Sequence, residues 1–147
     1  MTEDFATSIS VTIDAPVDRV WLAITTPELI KRWFFGVDTR SSWTEGGELV
    51  HTGELNGRPY EDKGVIVRIE PPTLLEHTHW SPMAGRPDHP ENYETVTYRL
   101  TDLGGTSKLT VSEVNLPSMD AKTISEKAWR SALDALKEQC ESGGART

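Results

Sequence analysis

Three histidines and one glutamate stand at alternate positions of extended segments, so that each shares a face with apolar neighbours. Successive side chains of a strand point to opposite sides. Where Leu75 faces a core, His77 and His79 face it too; where Leu49 does, so does His51; where Leu109 and Val111 do, so does Glu113. Imidazole titrates near neutral pH, ligates metals and carries protons. Three chemistries are open to such a group. Neutral rings hydrogen-bonded to Glu113, Tyr60, Tyr98 or water would give a partly polar cavity its ligand preference. Imidazoles at i and i+2 of one strand, with another from a neighbouring strand and Glu113, would approach the tetrahedral set of a divalent metal, although no familiar metal spacing is present. A histidine oriented by Glu113 would act as general acid or base on a bound carbonyl compound. The first reading is adopted, with no metal, no cofactor and no assigned catalytic residue.

Aromatic residues extend the same set. Trp33, Phe34 and Trp43 fall where a portal between short helices and a sheet would lie, while Trp21 and Trp129 sit on helix stripes. Trp129 is placed on the cavity side with Tyr60 and Tyr98. Trp80 is out of phase with His77 and His79 and should face away, beside a proline-rich loop that offers a partner surface. Other motifs are missing. Gly46-Gly47 and Gly104-Gly105 lack the Lys-Ser/Thr partner of a phosphate loop. Cys140 lies within a helix with no histidine nearby in sequence, Glu61-Asp62 reads as a solvated turn, and His89 reads as exposed.

The elements that must position these groups follow from periodicity. Ile9, Val11 and Ile13 alternate with polar residues through a first strand over Thr7 to Ile13. Asp14 as a cap and Pro16 at the first turn open a short helix carrying Val17, Val20, Trp21 and Ile24; Pro27 opens a second with Leu29, Ile30 and Trp33, ended by Gly36. Strands are expected at Asp38 to Trp43, Glu48 to Glu54, Lys63 to Glu70, Thr73 to Trp80, Glu91 to Thr101 and Ser107 to Val114, with Asn56-Gly57 as a tight hairpin turn. Ser81 to Pro90 is a surface loop that covers something. From Ser118 to Cys140 runs a long amphipathic helix whose stripe is Ala121, Ile124, Ala128, Ala132, Leu136 and Cys140, widened by Trp129 and Leu133. A long helix with no helical partner buries such a stripe on a sheet.

A chain of 147 residues fits one domain over 1–147, with flexible ends at 1–6 and 142–147. Fifteen basic against 23 acidic residues give a formal charge of −8, which repels phosphate backbones and anionic lipid, so neither nucleic acid nor membrane is an expected partner. The acidic start MTEDFATS is unlike a signal peptide, and a lone cysteine forms no internal disulfide, so the expected location is the cytoplasm.

Several segments together carry a resemblance. Ile13-Asp14-Ala15-Pro16 with Val20-Trp21, Pro27-x-Leu29-Ile30 with Trp33-Phe34, Gly46-Gly47, Gly64 with Ile69-Glu70-Pro71-Pro72, Leu109-x-Val111, and Ala128-Trp129 with Leu133 and Leu136 stand in an order that resembles the START-like superfamily, and within it the homologues of the activator of Hsp90 ATPase. The resemblance spans nearly the whole chain. It implies an α+β helix-grip fold: a curved antiparallel sheet of about seven strands, two short helices after the first strand, and a long C-terminal helix packed across it. A cavity between sheet and helix that takes a small apolar or amphipathic ligand is also implied, in a monomer or homodimer. Relatives include cyclase- or aromatase-like enzymes and co-chaperone domains, so catalysis through a cavity histidine and stimulation of a chaperone ATPase are the alternative functions. At His77 and His79 the family pattern usually has bulky apolar side chains, so imidazoles here depart from it.

Overall fold

Alternation of buried Thr7, Ile9 and Ile13 with exposed Ser8, Ser10 and Thr12 makes β1 (Phe5–Ile13), the strand that backs the C-terminal helix. The computed structural model describes residues 5–143. Two short helices follow, α1 (Val17–Thr25) and α2 (Pro27–Trp33). Pro16 itself is the N-cap of α1, and no side chain caps the helix, contrary to the role expected of Asp14. The backbone N–H of Asp14 instead donates to Glu141 Oε2 at 2.8 Å, tying the end of β1 to the last helix.

Six further strands, β2 (Asp38–Ser41), β3 (Glu48–Leu55), β4 (Arg58–Glu70), β5 (Leu74–His79), β6 (Glu94–Asp102) and β7 (Ser107–Leu116), complete an antiparallel sheet in the order β1-β7-β6-β5-β4-β3-β2. At the β3–β4 turn Leu55 pairs with Arg58, and Asn56 and Gly57 take φ of 53° and 80°, the left-handed pair that a two-residue hairpin requires. Trp43, expected at the end of β2, lies outside it in a left-handed conformation. Trp80 lies just past β5 as a single bridge to Lys63.

The last helix, α3 (Met119–Gly143), starts where Ser118 Oγ accepts the N–H of Ala121 at 3.1 Å. From Trp129 onward it buries Trp129, Ala132, Leu133, Leu136 and Cys140. Full burial of Leu133 and Leu136 contributes about 1.5–3 kcal/mol each. The first half is different. Ala121, Ser125 and Ala128 are only half-buried, and Ile124, expected within the buried stripe, is 68% exposed. This part of the helix borders open space instead of a packed sheet.

Residues 1–4 and 144–147, most of the expected flexible ends, lie outside the described residues, whereas Phe5 and Ala6 belong to β1 and Ser142 and Gly143 to α3. Among the described residues no helix is long and apolar enough to cross a membrane.

Candidate functional site

Between the sheet and the first half of α3 lies a cavity of about 530 Å³. Each element contributes through its alternation. From β3 comes His51, from β4 Asp62, from β5 His77 and His79, from β6 Glu94, Val96 and Tyr98, and from β7 Glu113. Ala121, Ser125, Ala128 and Trp129 of α3 face them, and Phe35, Met83 and Ile124, all more than half exposed, line it as well. Met83 and Ala84 belong to a 3₁₀ turn (Pro82–Ala84) of the proline-rich loop, so that loop borders the cavity.

Of the ten residues expected in the cavity, Phe34, His51, His77, His79, Tyr98, Glu113 and Trp129 line it. Three do not. Trp33 and Trp43 line a much smaller recess, and the Trp33 indole donates to Ala23 O at 2.8 Å as a core bond. Tyr60 lines neither space: its side chain lies against Gly53, directly across the β3–β4 pair.

Phe34 stacks on Trp129 with ring centres 5.6 Å apart, and Tyr98 meets Trp129 edge-on at 5.8 Å. The imidazoles take partners other than those expected. His51 Nδ1 pairs with Thr39 Oγ1 at 2.9 Å. His77 donates from Nδ1 to Thr78 O at 2.8 Å, which leaves Nε2 as a lone-pair acceptor. His79 lies between two carboxylates, Nδ1 at 3.3 Å from Glu94 Oε1 and Nε2 at 3.3 Å from Asp62 Oδ2. Glu113 orients none of the three: its Oε1 accepts from Ser125 Oγ at 2.5 Å and from the Trp129 indole at 3.2 Å.

Environment splits the three rings. Burial, aided by the charge on His79, pushes His51 down to about 4, and burial pushes His77 down to about 3. Both are neutral at pH 7. His79 is not. Burial alone would lower it, but its bonds to Asp62 and Glu94 raise it to about 10, making it an imidazolium. Burial would likewise raise Glu94, yet His79, Glu113 and Arg86 hold it below the usual carboxylate range; Arg86 donates to Glu94 Oε2 at 2.9 Å. Glu113 is raised by burial and by neighbouring Glu94.

These shifts set a pH profile. Below the ordinary value of 6.5 the unfolded chain protonates at His51 and His77 while the folded chain resists, so their contribution is full above 6.5 and drains away as pH falls towards 4 and 3. His79 works in the other direction, contributing fully below 6.5 and losing that contribution as pH rises towards 10. The urea midpoint should therefore drop between pH 6.5 and 4.5, and the drop should shrink in His77→Phe; an unchanged drop would remove His77 from this account.

Asp62 and Glu94 are the site residues missed in sequence. Glu61-Asp62 reads as a turn by composition, but both residues lie inside β4. The hairpin at Asn56-Gly57 held the missing signal, since counting outward from it pairs His51 with Asp62. Glu94 shares the phase of Val96 and Tyr98 and pairs with His79. As for a metal, ligand atoms of His79, Glu94 and Glu113 lie within 4.8 Å of one another. Both His79 nitrogens face carboxylates, so this arrangement holds a proton on the ring where a metal would need a lone pair.

Comparison with known proteins places these features. The sequence model of the family described as activator of Hsp90 ATPase homolog 1-like protein matches residues 14–141. The solved structure of ChR145 from Cytophaga hutchinsonii is 36% identical over 95% of this chain and 96% of its own, with a TM-score of 0.81. CalU16 from Micromonospora echinospora is 29% identical over 96% of this chain and 79% of its own, with a TM-score of 0.72. DynU16, a protein of the dynemicin biosynthetic locus, shares the fold at 21% identity and a TM-score of 0.78, over 96% of this chain and 49% of its own. No curated protein matches the chain.

Proposed function

The chain belongs to the family of activator of Hsp90 ATPase homolog 1-like proteins, within the START-like superfamily, and from that premise we propose that it binds a small, largely apolar ligand in the cavity between sheet and α3. It does so as one domain over residues 1–147, in the cytoplasm. One observation carries this reading: about 530 Å³ of space stands beside a well-packed core, with Phe34, Val96, Ala128 and Trp129 among its walls and buried polar groups at His77 and Glu113. Ligand sites span about 300–1,000 Å³ and combine apolar walls with a few placed polar groups.

Filling the space tests it. Ala128→Phe puts a ring into the cavity from a half-buried helix position, and it should abolish saturable binding of decanol, measured by displacement of a fluorescent apolar probe, while the urea midpoint stays near that of wild type. Wild-type protein that takes up neither decanol nor a decyl chain with another head group, or a variant that binds as well as wild type, would defeat the proposal. The activator role in the family's description is separated by the same variant. Stimulation of a chaperone ATPase that survives Ala128→Phe would draw on the outer surface, not the cavity.

A second reading, catalysis on a bound carbonyl compound, is favoured by His77. Its Nδ1–H is fixed by Thr78 O, so the lone pair for a general base sits on Nε2 in a ring that lines the cavity. Turnover, which binding alone does not produce, distinguishes the two.

A further inference from the structure

We propose that the cavity selects ligands whose polar head is a hydrogen-bond-donating cation, an alkyl- or arylammonium group, and that Glu113 is the carboxylate that receives it. The inference rests on the cavity-binding reading and adds the class of ligand.

The side chains that line the cavity are rich in acceptors and poor in cations. Four carboxylates, Asp62, Glu94, Glu113 and Asp120, line it, whereas no lysine or arginine does among the described residues. Its one cation, His79, is already held by Asp62 and Glu94. Arg86, outside the lining, answers Glu94 from the other side. Two acids are thus matched by two cations. Glu113 has none of its own: it is only 7% exposed, its hydrogen bonds come from a hydroxyl and an indole N–H, both uncharged, and the one cation near it, His79, is hydrogen-bonded to Asp62 and Glu94 instead. A buried carboxylate so placed either keeps a proton or accepts a cation brought to it.

Acceptors without partners point the same way. His77 is 4% exposed and lines the cavity, and because Nδ1 donates to Thr78 O, Nε2 can only accept. The Oδ1 of Asp62 is buried with no hydrogen bond among the described residues. An ammonium head offers up to three donors to such a surface and a charge opposite to that of Glu113. A carboxylate head offers no donor and meets like charge, and an alcohol offers one donor and no charge. The exposed Phe35, Met83 and Ile124 suit the apolar remainder of the same molecule.

Three probes of one chain length decide the matter: decylammonium, decanol and decanoate, each titrated below its micelle concentration at pH 7. The expected order is decylammonium first and decanoate last, with decylammonium ahead of decanol by about tenfold or more, the scale of one partly desolvated charge pair. In Glu113→Gln the ratio of decylammonium to decanol affinity should collapse towards one. Decanol binding with no preference for the amine, or a preference that survives Glu113→Gln, overturns the inference and leaves the cavity reading standing. Failure of all three probes overturns both. Zinc uptake through His79, Glu94 and Glu113 without any preference among the heads overturns it in favour of a metal. Should Glu113→Gln fail to fold, the order of the probes on the wild type still decides.

Discussion

Gly64→Ala should destabilise the protein by about 3 kcal/mol or more, the upper range for forcing atoms into a filled space. A Cβ at this position in β4 would overlap the carbonyl of Thr78 in β5, so the obstacle is backbone and not the movable end of a side chain. The segment concerned is the one that brings Asp62 to His79: Lys63 bridges Trp80 through two backbone bonds of 3.0 and 2.8 Å, and the N–H of Val65 donates to Thr78 Oγ1 at 2.9 Å. Two strands forced apart here separate the acid from the imidazolium. Urea unfolding measures the cost; a loss under about 0.5 kcal/mol, ordinary for a surface change, would mean that the strands do not approach as described. Gly53→Ala is a useful contrast. Its Cβ would meet only the Tyr60 side chain, which can turn away, so the cost should be clearly smaller.

Glu94→Gln should cost about 3 kcal/mol, the scale of removing one member of a buried ion pair. Glu94 answers two cations at once, His79 at 3.3 Å and Arg86 at 2.9 Å. Without it, among the described residues, Arg86 keeps only a 3.4 Å side-chain bond to Asn115 O, and its Nε already has no partner. Arg86 also anchors the loop beside the cavity, because its carbonyl accepts the Trp80 indole N–H at 3.1 Å. Two readouts separate this account from general damage. The titration of His79, followed by NMR, should move from about 10 back towards 6.5, and amide exchange should rise around Pro82–Ala84. A His79 titration unmoved by the substitution would show that Glu94 does not hold its charge.

Period-two alternation was enough to bring His51, His77, His79 and Glu113 to one cavity, because each sits in phase with a buried aliphatic residue: Leu49, Leu75 or the pair Leu109 and Val111. The helix-grip architecture was readable for a similar reason, since Asn56-Gly57 and the paired glycines mark turns by chemistry that acts locally. What escaped was set by distance in space. Asp62 looks solvated beside Glu61, and only the pairing of β3 with β4 places it opposite His51. Ile124 fits the helical stripe by spacing, yet the path of α3 leaves the first half of that stripe over open space. Trp33 and Trp43 were assigned to a portal by position in the chain, but they line a small recess that shares Phe34 and His51 with the cavity. The charge on His79 depends on carboxylates from two other strands, which no local pattern reveals.

Trp129 offers the most direct measurement. Its indole N–H donates to Glu113 within the cavity, and its ring touches Phe34 and Tyr98, so its NMR signal reports on anything that enters. Titration with decanol should shift that signal along a saturable curve, together with the amides of Val96 and Ala128, and Ala128→Phe should erase the response. A signal that stays fixed while decanol binds elsewhere, or that neither decanol nor decylammonium moves, would contradict the existence of a ligand chamber under α3.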